Sequence, residues 1–287
     1  MVAWGFLLPA MAVLTVFHFM PMVHAFVLAF WEYSPFNPAA SKFVGFAHFT
    51  RLMGDGAFWD AAINSCLYLL VVPVIIGLSL GLAMLVEPAI PGIGFFRAAF
   101  YVPVVTMMVV VALAWKIIFD TDHGVVNEIL KSTGAIDQGL PWLTHRAWAL
   151  WTVMSVTVWK GLGYYMVLFL VGLKAVPVEL KEAARIDGAT AWGVFRHVTL
   201  PCLWPIITLT AVLSSISAIQ VFEEIYIMTR GRIGTSTLVI RIFETGIPGY
   251  GGAVEMGYAC AMGVVLFVAL LLFTAINIRM LERMYTT

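Results

Sequence analysis

Residues 177–201 read PVELKEAARIDGATAWGVFRHVTLP, and the organisation of the chain is worked out from them. They are the longest run with regularly spaced charges, and strongly apolar segments flank them on both sides. The pattern predicts a short amphipathic helix, a glycine turn, a second short helix, and a proline opening the next apolar segment. Val178, Leu180, Ala183, Ala184 and Ile186 form the apolar set, while Glu179, Lys181, Glu182 and Arg185 carry charge. Glu182 and Arg185 stand three apart, near enough to pair on a helix. Gly188 follows Asp187 where a left-handed turn would end that helix. Pro201 suits a first helical turn, where its missing N–H costs nothing. The small pair Ala183–Ala184 lets another protein surface come close.

Of the 287 residues, 62% are hydrophobic and 11% charged. A soluble domain carries about 25% charged residues, so the composition is that of an integral membrane protein. Sixteen basic and 16 acidic residues cancel, which leaves nucleic acid no electrostatic footing. Cys66, Cys202 and Cys260 lie in or near apolar runs, with neither a disulfide framework nor metal-ligand spacing. They read as small packed residues. Met1 to Trp31 contains no Asp, Glu, Lys or Arg. The basic start of a signal peptide is therefore missing, and the apolar run is too long for one. A trimmed start is the other reading of that uncharged end.

A bilayer is crossed by about 20 apolar residues. Six such stretches are found: roughly 4–30 (with Pro9 and Pro21 as kink candidates), 61–86, 98–119, 147–173, 201–228 and 255–278. Short alternating segments, the mark of a β-barrel, are not the pattern here. The expected fold is an all-α integral membrane protein of six transmembrane helices. Residues 1–60 would hold the first helix and an extracytoplasmic loop. Residues 61–280 would form a five-helix core including the loop 174–199, and 281–287 a cytoplasmic tail. Residues 120–146, with their Leu-Pro-Trp-Leu segment, predict a folded cap. Residues 229–252 read as a glycine-rich loop. Basic residues in the loops divide seven against seven between the two sides, so their total does not orient the chain. Their density is higher in the short loops 87–97 and 174–199, which favours that side as cytoplasmic.

The opening stretch also resembles the EAA motif of ABC importer permeases. Glu182-Ala183-Ala184, then three residues to Gly188, then nine more before Val198-Thr199-Leu200-Pro201 reproduce that family's spacing, with Val198 at its isoleucine position. Further similarity runs through Asn64–Gly81, Phe95-Phe96-Arg97 with Tyr101-Val102-Pro103, Trp159-Lys160-Gly161-Leu162-Gly163 and Leu173–Pro177. These look like the carbohydrate-uptake permeases of the MalF/UgpA/SugA kind, over about residues 60–280. The large second periplasmic domain and extra N-terminal helices of the maltose protein itself are missing. The resemblance implies that loop 174–199 is a cytoplasmic coupling helix between transmembrane helices 4 and 5. Glu182, Ala183, Ala184, Arg185, Asp187, Gly188, Leu200 and Pro201 would serve the coupling. It implies as partners a second related permease, two ATP-binding subunits and an extracytoplasmic solute-binding protein, around a plasma (inner) membrane component in lipid. ATP and Mg2+ would bind the partner ATPase subunits. No cofactor, metal or catalytic residue is expected in this chain, and it lacks any Gly-Lys pair of a phosphate loop.

Other residues point to a transport path. Lys160 falls mid-span, where a charge is costly. It fits either a carbonyl partner in a tightly packed region beside Gly161 and Gly163 or a cavity wall. Ser214, Ser217 and Gln220 precede Glu223 and Glu224. Ser217, Gln220 and Glu224 share one face if the helix is continuous, and such a polar stripe could meet sugar hydroxyls or merely be a solvated helix end. Trp159, Tyr164, Tyr165 and Tyr226 are candidate aromatic platforms, set against a role in an interfacial belt. Asn64 reads as a helix–helix hydrogen bond and Lys116 as a snorkelling residue. The expected cargo is a sugar or oligosaccharide. Glycerol-3-phosphate or a glycerophosphodiester is the alternative, and a stand-alone secondary transporter or channel the remote one.

Overall fold

A computed structural model describes residues 2–35, 37–88, 90–247, 249 and 254–285. The helices in order are α1 (Val2–Leu14), α2 (Met20–Leu28), α3 (Ala47–Gly54), α4 (Gly56–Tyr68), α5 (Val71–Val86), α6 (Ile93–Val105) and α7 (Met108–Ile118). They continue with α8 (Val125–Ser132), α9 (Arg146–Ala175), α10 (Val178–Ile186), α11 (Ala191–Val194), α12 (Leu200–Ile219), α13 (Glu223–Met228), α14 (Leu238–Gly246) and α15 (Met256–Tyr285). A two-stranded antiparallel ribbon, β1 (Trp31–Glu32) with β2 (Lys42–Phe43), pairs Trp31 with Phe43 and Glu32 with Lys42.

Five helical stretches are long and apolar enough to cross a membrane: Phe6–Leu28, Gly56–Val86, Arg146–Ala175, Ala191–Met228 and Met256–Ala275. A sixth arises if α6 and α7 count as one span, but these two meet at 99°. The straight third span expected from the sequence is therefore broken. Thr106 and Met107 leave the helical conformation with ψ of 136° and 134°, which ends the α6 ladder after Val105. The stretch Ala191–Met228 is interrupted as well, between the end of α12 at Ile219 and the start of α13 at Glu223.

Pro201 does not open a helix. Helical backbone already runs from Ala191, and a five-residue π-turn, Phe195–Thr199, leads directly into α12. The Leu200 N–H reaches back five residues to the Phe195 carbonyl. This wider turn makes room for a ring that has no N–H and crowds the preceding turn. The first span solves the same problem in the same way. Its π-turn, Thr15–Phe19, closes with the Met20 N–H on the Thr15 carbonyl, immediately before Pro21.

The chain forms two compact units, residues 1–62 with 237–273, and residues 63–236 with 274–287. In the first, no residue of span Phe6–Leu28 is buried, although Ala25, Phe26 and Leu28 are half-buried. Asp55 organises the hairpin end of this unit. Its carboxylate accepts from the N–H groups of Ala57 (2.9 Å) and Phe58 (3.3 Å) and from the Tyr258 hydroxyl (2.7 Å), with the Arg241 guanidinium at 3.8 Å. Burial opposes its charge. The Tyr258 hydroxyl, the two N–H groups and Arg241 outweigh that and hold the carboxyl below the usual carboxylate range. Arg51 stacks on the Tyr258 ring at 4.1 Å and bonds Glu255 at 2.8 Å. α14 lies inside what reads from the sequence as a glycine-rich loop.

The second unit is built around α9, which packs against α5, α6 and α12. Met166, Phe169, Leu170 and Leu173 of α9 close over Ala83 and Val86 of α5 and Leu203 of α12. Gly163 touches the Phe100 carbonyl so closely that a Cβ there would collide with backbone. The predicted cap over 120–146 is folded around one buried side chain, Asn127. Its amide donates to the Asp120, Thr121 and Leu140 carbonyls, and its oxygen accepts from Leu140 N–H and the Trp142 indole.

Candidate functional site

Two features of the second unit bear on function: the surface around α10 and a cavity between helices. No side chain of α10 is buried. Ile186 is 86% exposed, Trp192 of α11 66% and Val178 60%, so this helix shows apolar groups that nothing in the chain covers. Glu182, Ala183, Arg185, Asp187 and Gly188 are exposed, and Ala184 is half-buried. Gly188 takes φ +85°, and the helix closes with three bonds. Asp187 N–H bonds Ala183 O at 2.9 Å, Gly188 N–H bonds Arg185 O at 3.0 Å and Ala189 N–H bonds Ala184 O at 2.9 Å. The last two are the paired bonds of a Schellman motif, which a left-handed residue makes possible. Thr190 then caps α11, its hydroxyl accepting from Gly193 N–H at 3.2 Å.

Among the described residues no ion pair joins Glu182 to Arg185. Lys181 instead reaches Glu87 at 3.7 Å. That residue follows α5, whose last carbonyls are capped by Arg97, with Nη2 2.6 Å from Val86 O and 3.2 Å from Glu87 O. The loops at 87–97 and 174–199 thus sit together at one end of this unit. Leu200 and Pro201 continue from α11 in one rod toward the cavity.

The cavity has a volume of about 380 Å³, within the range of small-ligand sites. Lys160, Tyr164, Tyr165, Ser217 and Glu224 line it, together with Thr157, Ser214 and apolar groups from α5, α6, α9 and α12. Lys160 meets both readings offered by the sequence. Its ammonium donates to the Val104 carbonyl at 3.4 Å, and the same side chain forms cavity wall. Thr157 bonds the buried Tyr68 hydroxyl at 2.6 Å.

Four other residues singled out in the sequence do not line this cavity. Trp159 stands edge-on to Trp115 at 5.3 Å. Tyr226 stacks on Phe222 at 5.2 Å. Gln220 caps the end of α12, and Glu223 is exposed at the start of α13. The interruption after Ile219 resets the helical phase, so Ser217, Gln220 and Glu224 do not share a continuous face. Thr157 had no sequence signal beyond its distance of three residues from Lys160. Asn64 is structural, but its partners are in a loop rather than a helix: Gly234 O at 3.0 Å and Ser236 O at 2.8 Å. A Gly-x-Ser-x-Gly spacing does occur at Gly77–Gly81. It lies within α5 with Ser79 fully buried, not at the strand-to-helix turn that a nucleophile elbow requires. Among the described residues no group of His, Cys, Asp and Glu side chains could hold a metal ion.

Residues 74–285 match the family described as binding-protein-dependent transport system inner membrane components. The chain belongs to that family. It is thus a multi-pass component of the inner membrane, and an ABC transporter permease. The lactose transport system permease protein LacF of Rhizobium radiobacter is 33% identical over 279 residues, covering 94% of this permease and 91% of LacF. The probable ABC transporter permease protein YesP of Bacillus subtilis is 34% identical over 280 residues, covering 95% and 88%. In fold, the permease is similar to a chain of a bacterial ABC transporter involved in importing the acidic polysaccharide alginate. The TM-score is 0.85 at 23% identity, covering 98% of this permease and 95% of that chain.

Proposed function

We propose that this permease is a transmembrane subunit of an ATP-driven importer for a sugar or oligosaccharide, with α6 and α7 together making the third of six spans. The observation that carries the reading is α10, an ordered helix with no side chain buried and with uncovered apolar groups, ended by a Gly188 turn. Such a helix suits a docking surface on an ATP-binding subunit at the cytoplasmic end. Glu182, Arg185 and Asp187 supply polar contacts, and Ala183–Ala184 allows close approach. A second permease would complete the path, and a solute-binding protein would deliver the cargo from the other side. Names of relatives such as LacF and the diacetylchitobiose uptake system permease protein NgcF of Streptomyces coelicolor support a saccharide cargo.

The chemistry follows from linkage. ATP drives the subunits between two arrangements only through different affinity for each. A docked α10 moves with the ATP-binding subunit, and the helical rod from Ala191 through Pro201 carries that movement to α12 and the cavity wall. The cargo's hydroxyls would meet Glu224, Ser217, Tyr164 and Tyr165. A phosphate cargo would need convergent Arg and Lys, and among the described residues Lys160 alone of these lines the cavity.

The test is uptake of labelled lactose, trehalose and diacetylchitobiose by cells carrying the complete importer, alongside ATP hydrolysis by the purified complex. Glu182→Lys should abolish uptake of the accepted sugar and release the ATP-binding subunit from the complex. Full uptake with Glu182→Lys and Gly188→Val combined would sink the coupling assignment.

A further inference from the structure

Locally unfavourable choices gather at the end of the second unit away from α10. α9 runs 30 residues, from Arg146 to Ala175, or about 45 Å at the helical rise, so Arg146 and α10 mark its opposite ends. Arg146 opens α9 with no acidic residue in the first turn, where the helix dipole disfavours a cation. In the turn after α13, Arg230 (φ +54°), Gly231 (+66°), Ile233 (+59°) and Gly234 (+75°) are left-handed. Among the described residues Arg230 and Ile233 are the only non-glycine residues at positive φ, and a β-branched side chain suits that region worst. Ile233 is also 40% exposed, so full burial does not explain its presence there.

The turn is held firmly from beneath. Thr229 and Thr235, both buried, share a hydrogen bond at 2.7 Å, and the Thr235 hydroxyl donates to Arg232 O at 2.6 Å. The Asn64 amide donates to the Gly234 and Ser236 carbonyls. The Arg146 side chain lies along the turn, since a Cβ on Gly234 would stand 2.9 Å from its Cγ. Arg146, Arg230, Arg232 and Ile233 are all exposed. Among the described residues no carboxylate lies within ion-pair distance of any of the three arginines.

We infer that this turn is a docking knob for the solute-binding protein, whose matching face carries carboxylates for the arginine forks and an apolar recess for Ile233. The inference rests on the importer reading, which puts the end opposite α10 outside the cell membrane. Strained backbone persists where its surroundings over-determine it, and it collects at contact and clamp sites. A run of broken local rules at one spot marks function in the same way. Lipid headgroups are fluid and need no fixed shape, and basic residues are ordinarily concentrated on the cytoplasmic side. The cap before Arg146 holds Asp120, Asp122, Glu128 and Asp137, so this end carries both signs. Recognition therefore comes from short-range, two-pronged hydrogen bonds between guanidinium and carboxylate, not from a net field.

The test places the complete importer in phosphatidylcholine nanodiscs and titrates it with its fluorophore-labelled solute-binding protein. Arg230→Gln combined with Arg232→Gln should raise the Kd about tenfold, mainly through faster dissociation. Ile233→Gly frees the backbone and deletes the side chain, so docking should weaken while the melting temperature holds or rises. If the double variant does not assemble, Arg146→Gln, which removes a cation from a helix start, carries the assay. A wild-type Kd in these variants overturns the inference. So does a loss confined to phosphatidylglycerol nanodiscs, which assigns the patch to anionic lipid. A wild-type importer that binds no solute-binding protein refutes the importer reading itself, whereas binding untouched by the substitutions refutes only the role of the turn.

Discussion

Replacing Gly188 tests the turn that ends α10. The residue sits at φ +85°, and a Cβ built there meets no atom within 4 Å. A substitution therefore acts through the backbone and leaves packing alone. An L-residue held in the left-handed region costs roughly 1–2 kcal/mol, and a β-branched one lies at the upper end because it has least freedom there. Asn tolerates the conformation best after Gly. α10 buries no side chain, so it has little packing energy to offset the cost, and the closing bonds from Gly188 N–H and Ala189 N–H would open in a matching fraction of molecules. A loss of this size lowers the docking-competent population by a factor of roughly 5–30. The order expected for affinity toward the ATP-binding subunit is Gly188, then Asn, then Ala, then Val. The assay is titration of purified ATP-binding subunit onto the permease in nanodiscs, with thermal unfolding as the control for the rest of the fold. Equal affinities for the Asn and Val variants, or a Val variant that docks as well as the wild type, would refute the argument from the turn.

Other outcomes follow from the same geometry. Asn127→Ala removes five hydrogen bonds at the centre of the cap; at about 1 kcal/mol each, several kcal/mol should be lost, seen as a lower melting temperature in detergent. Gly163→Ala drives a methyl group into the Phe100 carbonyl, whereas Gly161→Ala meets the flexible end of Ile75 at 3.2 Å and the Tyr165 ring at an ordinary 3.5 Å. The first should cut the yield of assembled permease far more than the second, measured by size-exclusion profiles. Asp55 has a lowered pKa in the fold, so its contribution to stability is present above the ordinary carboxylate value of about 3.9 and is lost as pH falls through the depressed value. Acid unfolding of Asp55→Asn should lack that limb in a melting series across pH 2–6.

The helix–turn–helix over 178–201 was legible because its signals are local. Gly188 marks a turn that few other residues accept, and its place between the charged run and Pro201 survives any arrangement of the bundle; the Thr190 cap of the next helix carried no reading. The cavity was only half legible. Its walls come from positions as distant as Val71 and Glu224, and a face drawn by helical spacing holds only while the helix is unbroken. The interruption between Ile219 and Glu223 brought Glu224 in and left Gln220 out. The bend after Val105 lies within a run so apolar that composition alone gives one continuous span. Helix α14 reads as loop in the sequence because nine residues between glycine-rich segments show too few turns to establish a period. Asn64 stood out as polar, but its loop partners lie 170 residues or more away.

The π-turn before Pro201 inserts one residue more than an α-turn holds. At 3.6 residues per turn, that extra residue rotates everything on its N-terminal side by about 100° about the axis relative to α12. Trp192 and the end of α10 are therefore clocked a quarter-turn or so from where an uninterrupted helix would aim them. Pro201 locks this offset in place, since the ring forbids a return to tighter winding. Deleting one residue from 195–199 would tighten the screw and turn the docking face aside without altering a single side chain on it.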